Sequence, residues 1–243
     1  MTETVSEPGF VMGIINEFIR QFNNTFIDKS YYKLFLNGFI NTMTIAFFAV
    51  IIGIIVGIVI AVIKVYNYRT GKLGILNRIA ILYTTVFRGT PVIVQLMIWY
   101  YIILTSVSSG VVCAIIGFGL NSGAYVAEIV RAGIMSIDKG QSEAGRSLGL
   151  SEYMTMRFIV LPQAIKNTLP ALFNEFITLL KETSVAGYIT VIDLTKAADL
   201  VRSRTLNAFF ALFSIAIVYL TLVVGLTTLQ GKLERRLQKS DRR

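Results

Sequence analysis

The chain has 243 residues, of which 54% are hydrophobic and only 15% are charged. Soluble domains carry about 25% charged residues, so this deficit indicates a chain that is largely in contact with lipid. The net charge of +9 lies beside the apolar runs and in the tail, which excludes an independent nucleic-acid-binding domain. Histidine is absent and Cys113 is the only cysteine, so we predict no metal ligand and no catalytic residue.

Residues 1–33 are predicted to form an N-terminal amphipathic segment. Polar and charged side chains alternate with apolar side chains that recur at helical spacing, namely Val11, Ile14, Ile15, Phe18, Ile19, Phe22 and Phe26. The pattern predicts an amphipathic helix, which either lies in the membrane surface or packs on the rest of the protein.

Five membrane-spanning helices are predicted within a transmembrane domain of residues 34–230. Two runs, 34–63 and 208–230, contain no charged residue, and about 20 apolar helical residues cross the hydrocarbon core. The predicted spans are Leu36–Val65, Leu76–Thr105, Gly110–Ile134, Phe158–Leu180 and Asn207–Gln230. Gly89 and Pro91 are expected to break or kink the second span beside Arg88. The expected fold is therefore an all-α membrane protein.

The distribution of lysine and arginine predicts the orientation. Five spans place three segments on one side, which carries fifteen such residues. These segments are the loop 64–78, the loop between the third and fourth spans and the basic tail 231–243. The other side carries seven. The positive-inside rule therefore places the tail in the cytoplasm and the N-terminus outside.

The loop 137–162 is predicted to form a helix-turn-helix on the cytoplasmic side. Asp138 and Gln141 have capping-box spacing, and Gly149 fits the left-handed residue that ends a short helix. Ser151 can start a second short helix, and Pro162 lies near the start of the fourth span. From the residues alone, this unit is either a docking surface or a compact connector.

This loop resembles the cytoplasmic EAA loop of bacterial ABC importer permeases. Glu143-Ala144-Gly145, Gly149 and Ile159-x-Leu161-Pro162 keep the family spacing, with Gly145 in place of the usual second alanine. The resemblance implies an ATPase-coupling role for Gln141, Glu143, Ala144, Gly145, Ser147, Leu148, Gly149, Leu150, Ile159, Leu161 and Pro162. Further blocks resemble the polar amino-acid branch of that family: Arg88-Gly89-Thr90-Pro91 with Gln95-Leu96, Ser122-Gly123-Ala124-Tyr125 with Glu128 and Arg131, and Lys181-Glu182-Thr183-Ser184.

The resemblance also implies the partners. It implies a second permease half (a copy of this chain or a paralogue), two cytoplasmic ABC ATPase subunits and an extracytoplasmic amino-acid-binding protein, in a bacterial inner membrane. The chain lacks a phosphate-binding loop, because Thr70-Gly71-Lys72 is followed by Leu73 and Tyr66 occupies the position of the first glycine. We therefore expect no cofactor on this chain, with ATP and Mg²⁺ bound by the partner ATPase, and no enzymatic activity of its own.

Polar side chains within the third and fourth spans predict a substrate pathway. An ionised group at the bilayer centre costs on the order of 3 kcal/mol, so such groups usually face a polar cavity or a partner. The predicted pathway residues are Asn121, Ser122, Tyr125, Glu128, Asn174, Glu175 and Thr178. Glu128 either pairs with Arg131 or binds a cationic group of an amino acid. Arg88 either positions the kink, pairs with a carboxylate or binds a substrate carboxylate.

The leading hypothesis is ATP-driven import of a polar or cationic amino acid such as arginine, lysine, histidine or glutamine. A gradient-driven secondary transporter or channel is the alternative, since intramembrane carboxylates and broken helices also suit that class. Such a carrier does not need the cytoplasmic helix-turn-helix. A membrane-embedded enzyme is disfavoured, because no aspartate occurs within the five predicted spans.

Overall fold

The computed structural model describes residues 7–27 and 29–241, with side chains from residue 12 to residue 237 except 14 and 28. Residues 1–6 and 28 of the predicted N-terminal segment and residues 242–243 of the predicted tail lie outside these ranges. All regular elements within them are helical, which confirms the all-α fold. The α-helices of the described ranges are α1 Glu7–Phe26, α2 Tyr32–Thr70, α3 Gly74–Gly89, α4 Val92–Ile98, α5 Gly110–Met135, α6 Lys139–Ser147, α7 Glu152–Thr155, α8 Leu161–Glu182, α9 Leu194–Thr205 and α10 Ala208–Asp241.

Three of these helices are each long and apolar enough to cross a membrane, namely α2, α5 and α10. They match the first, third and fifth predicted spans. A π-helical turn extends α4 to Ile103, and this extended helix and α3 together form a further candidate span that is bent by 110°. The fourth predicted span corresponds to α8, whose 22 residues extend about 33 Å. Because α8 contains several polar residues, its membrane crossing stays a prediction.

Close packing of α2 against α5 forms the centre of the bundle. Glycines allow the two backbones to approach, as in other pairs of membrane helices. A Cβ atom on Gly57 would lie 2.5 Å from Cγ1 of Val126, and one on Gly119 would lie 2.8 Å from Cβ of Ile52. Helices α3, α8 and α9 pack directly on this pair.

The segments rich in positive charge lie at one end of the bundle. Tyr68 near the end of α2 and Met135 at the end of α5 line one cavity with Lys139 and Arg146 of α6. The opposite end holds α1 and the region around α9, where the Asn207 side chain donates to Gln21 Oε1 over 2.9 Å. The two ends of the bundle therefore carry the loops that the five-span topology assigns to opposite sides.

The N-terminal helix α1 is amphipathic and contacts the start of α10. The rings of Phe18 and Phe22 lie 4.7 and 6.1 Å from the ring of Phe210, and both remain about half exposed. Met12 and Ile19 are also exposed. The contact with α10 fits the packed alternative, while the exposed apolar face leaves membrane-surface binding a prediction.

Two helical stretches were not expected from the sequence. The predicted spans leave residues 181–206 as the connection between the fourth and fifth spans, but this connection contains α9. Asp193 caps that helix by accepting from the backbone N–H groups of Thr195 and Lys196 at 3.0 and 3.2 Å. Burial raises the pKa of the Asp193 carboxyl above its ordinary value, and these two hydrogen bonds oppose that shift. The predicted basic tail, in turn, continues α10 to Asp241, because its Lys, Glu, Arg and Leu residues favour helix.

Candidate substrate pathway and coupling surface

Helices α5 and α8 meet at a polar contact between two predicted pathway residues. The hydroxyl of the fully buried Ser122 donates to Glu175 Oε1 over 2.8 Å. Thr178 is half-buried on the same helix as Glu175, whereas Asn174 is exposed. The structure thus brings together, at Ser122 and Glu175, the polar pathway residues predicted on the third and fourth spans.

Glu128 lies between two cations at the positively charged end of the bundle. Its Oε2 is 2.9 Å from Arg131 Nε, so the pairing with Arg131 that the sequence left open is present. Its Oε1 is 2.5 Å from Lys64 Nζ of α2, which also donates to Thr84 Oγ1 of α3 over 2.7 Å. Sequence reasoning missed Lys64, although it is the first charge after the apolar run of α2. The network joins three helices.

Asn121 supports the break between α3 and α4. Thr90 and Pro91 have extended backbones there, which confirms the predicted break. The Gln95 side-chain amide donates to the carbonyls of Phe87 and Thr90 at 2.8 and 3.0 Å, and Asn121 donates to Gln95 Oε1 over 3.0 Å. Backbone carbonyls released by a break in a membrane need such partners.

This role accounts for the burial of both amides, since Asn121 and Gln95 are only 3% and 7% exposed. A substrate contact by Asn121 stays a prediction. Gln95 was noted in the sequence only as part of a family motif, and its partnership with Asn121, 26 residues away, carried no sequence signal.

Arg88 and Tyr125 form a separate contact beside the break. The exposed Arg88 guanidinium lies 5.3 Å from the centroid of the half-buried Tyr125 ring, which is the geometry of a cation–π contact. Arg88 is the last charged residue of α3, so this contact links the broken helix to α5. Of the three roles that the sequence left open for Arg88, a role in positioning the kink fits this contact.

The helix-turn-helix predicted for residues 137–162 is present. Asp138 Oδ1 accepts from the Gly140 backbone N–H over 2.6 Å at the start of α6. Gly149 ends this helix with φ +82°, and the Ser151 hydroxyl accepts from the Met154 N–H at the start of α7. Gln141 does not complete a capping box, because its Oε1 accepts from Gln163 at the start of α8. A π-helical turn, Met156–Val160, then joins α7 to α8.

Gly145 stands where the family usually has alanine, and the close packing at this position accounts for the glycine. A Cβ atom at this position would lie 2.8 Å from Thr155 Cγ2 and 2.9 Å from Ile159 Cδ1. Helix α6 therefore lies directly against α7 and the π-helical turn, and it is tied to the start of α8 through Gln141.

The outer surface of this loop is exposed and partly apolar. Glu143, Ala144 and Ser147 are exposed, and so are three large side chains: Leu148 at 80%, Tyr153 at 69% and Phe158 at 64% exposure. Soluble surfaces seldom leave such a group of apolar side chains uncovered unless a partner covers them. Leu161 and Pro162 are also exposed, at the first turn of α8.

Comparison with known proteins identifies the class. The family described as "Binding-protein-dependent transport system inner membrane component" matches residues 53–239. A putative glutamine transport system permease protein of Rickettsia typhi is 40% identical over 172 residues, which cover 70% of this chain and 79% of that protein. An arginine transport system permease protein of Bacillus subtilis is 41% identical over 166 residues, covering 67% and 76%.

Solved structures agree. The crystal structure of an amino acid ABC transporter with histidines has a TM-score of 0.79 and 40% identity, covering 85% of this chain and 95% of that chain. An inward-facing methionine ABC transporter has a TM-score of 0.74 at 21% identity, which shows a shared fold. The chain belongs to the family of inner-membrane components of binding-protein-dependent transport systems. The predicted class, a multi-pass permease subunit of an amino-acid ABC transporter, is confirmed.

Proposed function

We propose that this chain forms half of the translocation pathway of an ATP-driven importer for a polar or cationic amino acid. ATP and Mg²⁺ bind to separate cytoplasmic subunits, two of which serve a pair of permease halves. An extracytoplasmic binding protein delivers the substrate. The relatives named for glutamine and arginine transport support this range of substrates.

One observation carries the coupling role: the apolar side chains of Leu148, Tyr153 and Phe158 are exposed on a helix-turn-helix that is packed onto α8. We place this surface in the cytoplasm, with the N-terminus outside, from the distribution of positive charge. ATP-driven closure of the ATPase subunits would push on α6. The movement would reach α8 through Thr155, Ile159 and Gln163.

The substrate contact is assigned to the polar junction of α5 and α8. Glu175 is partly buried and accepts from Ser122, and the described residues provide no ion-pair partner within 4.0 Å. A carboxylate of this kind attracts a cationic group. Tyr125, Asn174 and Thr178 complete the proposed pathway. Glu128 is held by two cations and is proposed to stabilise the cytoplasmic end, as the ion-pair alternative predicts.

The test is uptake by the reconstituted complex. The chain is co-expressed with its ATPase subunit, purified, and placed in proteoliposomes with the binding protein and labelled arginine or glutamine. Uptake should require ATP and a hydrolysis-competent ATPase. Uptake at the same rate without nucleotide would refute the ATP-driven mechanism.

Glu175→Gln tests the assignment of the pathway. Hydrogen bonds to charged groups contribute about 1.5–3 kcal/mol, so the apparent affinity for a cationic substrate should fall about ten-fold or more. Glu17→Gln, which removes an exposed carboxylate from α1, is the matched control and should leave uptake unchanged. Equal behaviour of the two variants would remove Glu175 from the pathway.

A further inference from the structure

A cavity with three charged side chains in its lining lies away from the junction of Ser122 with Glu175. It has a volume of about 380 Å³ and lies between the end of α2, the start of α3 and the end of α5. Its charged lining consists of Lys64, Arg131 and Glu128, with Asn67 and Asn77 as neutral polar neighbours. A volume of a few hundred Å³ is typical of small-molecule sites in proteins.

The cavity carries a net positive charge. Lys64 and Arg131 contribute two positive charges, and Glu128, which contacts both, contributes one negative charge. Arg131 uses its Nε on Glu128, and a guanidinium has five N–H donors in all. The Arg131 side chain is 41% exposed, so it can reach a ligand that enters the open side of the cavity. Three further exposed cations lie at the end of α2, in the following turn and at the start of α3, and they add positive potential: Arg69, Lys72 and Arg78.

The rim of the cavity is apolar. Tyr68 and Ile81 line the cavity and are 67% and 48% exposed. Val65 and Met135 add further apolar side chains to the lining. A small inorganic anion would use the charged interior but not this apolar rim. A phospholipid presents an anionic phosphate and acyl chains together, and therefore matches both parts.

We propose that this cavity binds the headgroup of an anionic phospholipid from the cytoplasmic leaflet, with Arg131 and Lys64 facing the phosphate and an acyl chain along α3. The proposal rests on the orientation given under the proposed function. Basic pockets between membrane helices on the cytoplasmic side are typical sites for anionic headgroups.

The position of the cavity connects the lipid to transport. Tyr68 and Met135 line this cavity and also a neighbouring one of about 200 Å³, whose lining includes Glu143 and Arg146 of the coupling loop. A lipid in the first cavity therefore touches side chains that support α6. Occupancy should favour the packed position of the coupling loop and increase stimulation of the ATPase by the loaded binding protein.

Lipid binding is measured on the purified permease–ATPase complex by native mass spectrometry, with titration of phosphatidylglycerol. Phosphatidylcholine, which has the same phosphate but no net charge, and inorganic phosphate are titrated in parallel. We expect phosphatidylglycerol to bind most tightly. Equal binding of phosphatidylcholine would refute recognition of the anionic headgroup, and equal binding of inorganic phosphate would refute the lipid.

Two charge-matched variants locate the site. Arg131→Gln should weaken phosphatidylglycerol binding about five-fold, the contribution of one basic residue near a membrane surface. Arg78→Gln removes the same charge from the start of α3 at a position that does not line the cavity, and should change binding less than two-fold. Equal losses would indicate a diffuse surface effect and overturn the site. Because Arg131 also pairs with Glu128, Arg131→Lys is included: it should restore most of the binding if the charge binds the lipid.

The same complex is then assayed in nanodiscs with and without phosphatidylglycerol. ATP-dependent uptake without any effect of phosphatidylglycerol on ATPase stimulation would refute the regulatory part alone. Loss of ATP dependence would instead refute the proposed function and leave the lipid-binding result standing.

Discussion

Lys64 and Glu128 illustrate how single residues are stabilised within this bundle. Lys64 is 10% exposed and Glu128 21%, and each lies on a different helix. Removal of one partner leaves the other charge unpaired where water reaches it poorly. The free-energy cost of that unpaired charge exceeds the net stabilisation that the ion pair provides. When Lys64 is removed, Glu128 keeps its ion pair with Arg131, and this reduces the destabilisation.

Lys64→Met should therefore lower the free energy of unfolding by about 2 kcal/mol. Glu128→Gln should also destabilise, and the double variant should lose less than the sum of the two, because neither charge is then left alone. Thermal unfolding of the detergent-solubilised complex gives all three values. Arg20→Gln, which breaks an exposed ion pair in α1, should have no measurable effect. Strict additivity of Lys64→Met and Glu128→Gln would contradict a direct interaction.

Gly133 of α5 is the tightest glycine contact with α8. A Cβ atom there would lie 2.0 Å from Thr168 Cγ2, so Gly133→Ala should lower the free energy of unfolding by about 1–3 kcal/mol through overpacking. Thr168→Ser removes that methyl group and keeps the hydroxyl, and it should restore the stability of the Gly133→Ala variant. Gly225→Ala in α10 is the control, since it meets no atom within 4 Å and alanine favours helix. Failure of Thr168→Ser to rescue would show that the α5–α8 contact is looser than described.

Among the structural elements, the sequence predicted the positions of helices, of the break and of helix ends, because these depend on residues close together in the chain. Uncharged runs located α2 and α10, the Gly89–Pro91 pair located the break, and Asp138, Gly149 and Ser151 located the ends of the short helices. The partners that hold these elements could not be predicted, because Lys64–Glu128 and Gln95–Asn121 join residues 64 and 26 positions apart. Neither pair follows a helical or strand period, so only the packed chain identifies it. The N-cap of α9 at Asp193 is a local signal within the sequence that the predicted spans do not include.

The coupling loop depends on the left-handed backbone of Gly149. A β-branched residue at φ +82° is strongly strained, whereas asparagine adopts positive φ more readily. Gly149→Val should therefore displace α6 and reduce substrate-stimulated ATP hydrolysis several-fold, while Gly149→Asn should stay close to the original protein. Complex assembly is checked by co-purification, so that a loss of docking is separated from a loss of coupling. Normal coupled transport by Gly149→Val would contradict a rigid coupling element.

For the whole molecule, the two ends of the bundle have different chemistry. One end carries the α2–α3 turn and the coupling loop, with their excess of lysine and arginine, and the other carries α1 and α9. An anionic inner leaflet favours the first end, by about 1 kcal/mol for each basic residue near its surface. With fifteen basic residues predicted on one side against seven on the other, the preference for one orientation should be nearly complete.

Cysteine labelling in intact cells tests this orientation. The buried Cys113 is first replaced by alanine. Single cysteines are then introduced into this Cys113→Ala background at exposed positions, by Lys72→Cys, Ser147→Cys and Arg202→Cys. A membrane-impermeant maleimide should label Arg202→Cys in intact cells, because the proposed orientation places α9 at the outer end. It should label Lys72→Cys and Ser147→Cys only after the membrane is permeabilised. The reverse pattern would invert the molecule, and it would remove the coupling loop from any contact with a cytoplasmic ATPase.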